Sequence, residues 1–149
     1  MTFLTNSAAE TEAVGARLAD VILKSGTRHA FVALFGEMGV GKTAFVRGFA
    51  AALGYRNAKS PTYTLVNEYR TGSLPLFHFD MYRIEDEDDL YSIGFDDYLA
   101  REGICLTEWS ERIEDAIPEN AVRIRIARTD NENSRLVTVE GAIDADLSL

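Results

Sequence analysis

The sequence predicts one α/β domain that combines a strand-turn-helix unit with antiparallel hairpins, and three observations predict it. The chain has 149 residues, the size of one domain, with the 46% hydrophobic and 26% charged composition of a chain that buries a core. The apolar stretch Ala30 to Phe35 runs into a glycine turn and then into a helical pattern from Thr43. Further along, two pairs of strand-like stretches are each joined by turn residues, and strand-turn-helix units alone would not give them.

Ser7 stands three residues before Glu10 at capping-box spacing, and Val14, Leu18, Val21 and Ile22 then recur at helical intervals until Gly26, which makes an amphipathic first helix. Ala30 to Phe35 is apolar on both faces, as a central strand covered on both sides would be. Ala44 to Leu53 has helical spacing and ends at Gly54, a C-terminal capping glycine. Thr62 to Tyr69 and Leu76 to Met81 read as a hairpin around Thr71, Gly72 and Ser73. One or two short helices are expected within Asp88 to Arg101. Ile104 to Glu108 reads as a second buried strand ending in an acid, and Glu111 to Ala116 as a helical turn. Val122 to Ala127 and Leu136 to Val139 alternate with strand period and make a terminal hairpin. The domain is expected to span residues 1–141, with 142–149 a frayed tail.

Charge narrows the function classes. Lys plus Arg number 15 against 24 Asp plus Glu, a net −9, which disfavours a protein that grips nucleic acid through a broad basic surface. The stretch Ile84 to Ala100 holds Glu85, Asp86, Glu87, Asp88, Asp89, Asp96 and Asp97 and no base. It reads either as solvated helix surface or as a dock for a basic partner. Cys105 is the sole cysteine, which points to a reducing compartment. The longest apolar run is far too short to span a bilayer and no secretory pattern opens the chain, so a soluble cytoplasmic protein without membrane contact is expected.

Gly36 to Thr43 fits GxxxxGKT without a gap, after an apolar strand and before a helix, the context that motif requires. Its glycines let backbone N–H groups converge on a polyphosphate, and the helix that follows adds its positive dipole end. Lys42 brings a cation to the β and γ phosphates, and the Thr43 hydroxyl is placed to ligate Mg2+. Such a site also needs an acid at a strand end. Asp80 and Glu108 both qualify, and the residues alone do not rank them. The chain has no NKxD sequence to read guanine, which favours adenine and hence ATP. His78, between Phe77 and Phe79, is either a hydrogen-bonded histidine at the sheet surface or a proton shuttle; Trp109 is either core or a ring stacked on a ligand.

Five strings now fall into order: GEMGVGKT at Gly36, SPTYTLVNEY at Ser60, HFDMYR at His78, SIGFDDYL at Ser92 and TEWSER at Thr107. Together they resemble the TsaE family, bacterial ATPases required for threonylcarbamoyl modification of the adenosine beside the anticodon in certain tRNAs. The resemblance runs from about Ser7 to Gly141. It implies a modified P-loop fold, a mixed parallel and antiparallel sheet between helices. It places ATP on Glu37, Met38, Gly39, Val40, Gly41, Lys42, Thr43 and Ala44, and Mg2+ on Thr43 and Glu108. By the same resemblance Asp80 lies near the γ-phosphate and orders the attacking water, Thr62 is a switch threonine, and Thr11 and Trp109 border the nucleotide. It implies two partner proteins, TsaB and TsaD, with TsaD transferring the group to tRNA, ATP hydrolysis keeping the complex turning over, and tRNA met only through the complex. Hydrolysis is expected to be slow alone and faster with partners.

The chain departs from the family pattern at Met38 and Val40, at Met81 where Leu is usual, and at Ser110, where Pro often follows the EW pair. Loss of that proline removes a rigid φ beside Glu108 and Trp109. Two rival readings remain: a small-molecule kinase, for which Arg83 is the one lid arginine in view, and a nucleotide-gated binding module.

Overall fold

The computed structural model describes residues 1–37, 39–59, 61 and 65–141. Along the chain run β1 (Thr2–Thr5), α1 (Ala8–Ser25), β2 (His29–Phe35), α2 (Lys42–Ala52), β3 (Val66–Tyr69), β4 (Leu76–Asp80), α3 (Glu87–Ser92), α4 (Phe95–Ala100), β5 (Gly103–Glu108), a 3-10 segment (Ser110–Ala116), β6 (Val122–Arg128) and β7 (Arg135–Glu140). The strands make one sheet in the order β1-β7-β6-β2-β5-β4-β3. Its four central strands, β6, β2, β5 and β4, are mutually parallel, and the antiparallel pairs β1/β7, β7/β6 and β4/β3 flank them. The expected mixed sheet is thus observed, with both hairpins in place.

Alternation along the central strands explains the layers. Val32 and Leu34 on β2, with Ile104 and Leu106 on β5, face α1 and α2 and join Leu18, Phe45 and Phe49 in one core. Phe31, Ala33, Phe35, Phe77 and Phe79 point the other way, onto Leu90, Phe95 and Ile113 from α3, α4 and the 3-10 segment. A sheet buried on both faces needs apolar residues at every position, which is why β2 is buried from Phe31 to Phe35. Phe45 and Phe49 are fully buried, each stabilising the fold by about 1.5–3 kcal/mol through lost apolar exposure, and so fix α2 on the sheet.

The helix ends follow local chemistry. Ser7 caps α1 by accepting from Glu10 N–H at 3.1 Å, while the Glu10 carboxylate accepts from Asn6 N–H at 3.2 Å, one residue earlier than a capping box would have it. The expected short helices resolve into α3 and α4. The acidic run has structural employment there: Asp86 caps α3 by accepting from Asp89 N–H at 2.9 Å, and Asp89 accepts from Glu85 N–H at 2.9 Å. Glu87, Asp88, Asp96 and Asp97 lie in first helical turns, where the helix dipole favours negative charge.

The sequence reading passed over β1. It is an edge strand of four residues, and its partner β7 is at the other end of the chain, so no local pattern announces it. The expected tail over residues 142–149 lies outside the described residues. No helix among the described residues is long and apolar enough to cross a membrane.

Candidate functional site

The parallel strands deliver the site to one end of the sheet. β2, the central strand, ends at Phe35, and α2 begins at Lys42 after the glycine loop. Gly39 and Gly41 hold φ of 75° and 116°, left-handed values that side chains rarely tolerate, so the loop's course depends on glycine at these two positions. β4 and β5 end beside the loop in register, Asp80 opposite Glu108. By strand alternation these acids share a sheet face with Leu76 and Ile104, the face on which α2 lies.

Lys42, Thr43, Asp80, Glu108 and Trp109 therefore line one open cleft of about 570 Å³, together with Gly39, Gly41, Ala44, Arg47 and Arg83. Lys42 is 6% exposed; its Nζ donates to the Gly36 carbonyl at 2.8 Å and lies 4.3 Å from the centre of the Trp109 ring. The cation is held at the loop with nothing anionic paired to it in the described contacts. Gly36 N–H in turn donates to Glu111 Oε2 at 3.1 Å. Thr43 is exposed at the first turn of α2. Asp80 Oδ1 accepts from Tyr82 N–H at 3.0 Å, and His78 Nε2 contacts Glu108 Oε2 at 2.5 Å.

Trp109 has a left-handed backbone, φ 56°, and its ring stands 5.0 Å from that of Tyr82. It is a wall of the cleft. Backbone strain of this kind collects at functional sites. Here Ser110 supports it: the buried Ser110 hydroxyl lies 2.7 Å from Thr107 Oγ1 and 3.1 Å from the Thr107 carbonyl. A side-chain clamp thus fixes the turn after Glu108 where a proline ring would otherwise do so.

A second cleft of about 370 Å³ adjoins the loop, lined by Thr11, Gly39, Val40, Gly41, Ala44 and the β6–β7 turn. Thr11 is 2% exposed and its hydroxyl lies 2.8 Å from that of Thr5, so it forms the floor. Arg135 on β7 donates through Nε to the Val40 carbonyl at 2.8 Å and pins the loop from this side.

A family model for the threonylcarbamoyl adenosine biosynthesis protein TsaE matches residues 5–137. The chain belongs to the TsaE family. The tRNA threonylcarbamoyladenosine biosynthesis protein TsaE of Bacillus subtilis is 41% identical over 134 residues, which cover 89% of this chain and 81% of that protein. Its counterpart in Haemophilus influenzae is 41% identical over 114 residues, 75% of this chain and 72% of that one. The crystal structure of Bacillus subtilis YdiB matches with a TM-score of 0.76 at 32% identity, covering 93% of this chain and 83% of that one.

In this TsaE-family chain, Lys42, Thr43, Asp80, Glu108 and Trp109 line the first cleft, and Thr11 lines the second. Glu37 lines a further cleft, of about 450 Å³, with Glu111 and Arg125. Thr62 and Met38 lie outside the described residues. The sequence reading missed Arg47, Tyr82, Arg135 and Glu111. Arg47 had a signal, since it follows Thr43 by one helical turn and shares its face. Arg135 had none, because its target is ninety-five residues away.

No group of three or more His, Cys, Asp or Glu able to hold a metal is present among the described residues. The oxygen-bearing side chains that line the cleft are instead the hydroxyls of Thr43 and Tyr82 and the carboxylates of Glu108 and Asp80. Hard oxygen donors in small number fit Mg2+, which keeps waters and takes phosphate oxygens to complete its shell.

Proposed function

We propose that this chain binds ATP with Mg2+ in the cleft, hydrolyses it, and serves tRNA threonylcarbamoyladenosine biosynthesis with the partner proteins TsaB and TsaD, sustaining turnover of their complex. The observation that carries the reading is the convergence of Lys42 and Thr43 from α2 with Asp80 and Glu108 from β4 and β5 on one cleft. Loop N–H groups and the α2 N-terminus receive the phosphates. Lys42 exchanges its Gly36 carbonyl for phosphate oxygen and neutralises charge there, held in line by the Trp109 ring. Mg2+, held by Thr43 and Glu108, would supply charge neutralisation at the phosphate oxygens. Asp80, anchored by Tyr82 N–H, accepts a hydrogen bond from water and aims it at the γ-phosphate. Thr11, in the adjoining cleft, would border the nucleotide.

Arg47 and Arg83 line the same cleft, and each offers a further cation to the transition state. The reading is tested by reconstituting tRNA modification with TsaB and TsaD over many turnovers. Sustained modification is expected with this chain present, and stalled modification without it or with Lys42→Ala. Equal multi-turnover yield in all three arms would exclude the reading.

A further inference from the structure

We propose that His78 is a positioning residue for the Glu108 carboxylate, presenting one of its oxygens to the cleft and thereby setting magnesium affinity; this rests on the magnesium-nucleotide reading above. The placement follows from strand periodicity. His78 precedes Asp80 by two residues on β4, so the two side chains share a face of the sheet. Asp80 is in register with Glu108 and His78 with Leu106, so the imidazole reaches diagonally forward beneath the acid pair, within range for a long side chain. It arrives: Nε2 lies 2.5 Å from Glu108 Oε2.

Burial makes the contact directional. His78 is 2% exposed and the Glu108 side chain 15%. Nδ1 of His78 is buried with no hydrogen-bond partner among the described residues. A proton on Nδ1 would be stranded there, and Nε2 would then turn a lone pair toward a carboxylate oxygen. With the proton on Nε2, the ring donates to Oε2 and strands no donor. One Oε2 lone pair is thereby engaged, and Oε1, which has no partner among the described contacts, is the oxygen this arrangement leaves for the cleft. Asp80 stands across from Glu108, and like charges on opposed positions repel. An anchored Glu108 cannot swing away in response. Hydrogen-bonded partners behind metal-ligating carboxylates orient them, and their loss typically weakens metal binding by about 10–100-fold.

The experiment is a magnesium titration of methylanthraniloyl-ADP fluorescence with the full chain as wild type, His78→Leu and His78→Gln. Leu fills space without a donor, whereas Gln returns an N–H near the Nε2 position. In His78→Leu the magnesium concentration for half-maximal enhancement should rise about tenfold or more, with nucleotide affinity in EDTA unchanged; His78→Gln should recover most of the shift. Wild-type magnesium dependence in His78→Leu, or no recovery in His78→Gln, overturns the positioning role and leaves the reading of the cleft standing. No magnesium effect in the wild type overturns both. Ring 15N NMR of the wild type requires no substitution: a proton on Nε2 is expected, and one on Nδ1 overturns the proposal.

Discussion

Asp80 and Glu108 are cross-strand partners, facing each other at the last shared step of the parallel pair β4/β5. Their surroundings differ: Asp80 is tied to Tyr82 N–H, and Glu108 to the buried His78 ring. We expect the pair to separate experimentally. Glu108→Ala should weaken magnesium-dependent nucleotide binding, because a metal ligand contributes already in the ground state. Asp80→Ala should leave that binding near wild type and lower hydrolysis by about 100-fold or more, as loss of a water-orienting group does. Magnesium titration of binding beside single-turnover hydrolysis checks this, and the reverse pattern would exchange the two roles.

Much of this site was legible because it is built from the ends of regular elements. The apolar run to Phe35, the glycines after it and the helical spacing from Thr43 each have a local cause, and the acids closing β4 and β5 could be seen as strand ends. Their pairing could not, because the register of β4 on β5 is a tertiary fact. The bond from His78 to Glu108 joins residues thirty apart, and β1 pairs across nearly the whole chain. Ser110 is instructive in the other direction: a missing proline suggested a looser turn, and a hydroxyl clamp to Thr107 holds it.

Gly48 on α2 meets α1 so closely that an added Cβ would lie 1.9 Å from the Glu12 carbonyl oxygen. Backbone cannot yield as a flexible side chain can. Gly48→Ala should therefore destabilise the fold by about 1–3 kcal/mol or more through overpacking. Because α2 carries Lys42 and Thr43, nucleotide affinity should fall with it. Thermal melts with and without ADP check this, and an unchanged melting temperature would show that the helices separate at no cost.

Glu68 on β3 joins the hairpin to α4. Burial alone would raise its pKa, but hydrogen bonds from Tyr98, Arg70 and Arg101 outweigh that and hold the carboxyl down at about 2. A depressed carboxyl stabilises the fold fully above its ordinary value of 4.5, and that contribution fades as pH falls toward about 2. Glu68→Gln should lower stability at pH 7 and lose less than wild type between these limits. Denaturant midpoints at both ends of the window measure it; parallel pH profiles would remove Glu68 from the acid response.

Cys105 is buried against α4, and burial pushes its thiol up to about 12. It should stay protonated and react with a thiol reagent only as fast as the domain opens. Labelling should accelerate with denaturant in step with unfolding, and rapid labelling of the native protein would contradict that burial.

Phosphate release from ATP, measured with Mg2+ in the presence of TsaB and TsaD for wild type and Lys42→Ala, tests the assignment of the cleft most directly. Lys42 is the buried cation aimed at the loop, and its removal leaves phosphate charge uncompensated. The account predicts magnesium-dependent release by the wild type and a loss of about 100-fold or more in folded Lys42→Ala. Equal release by the two proteins, or none by the wild type, would contradict it.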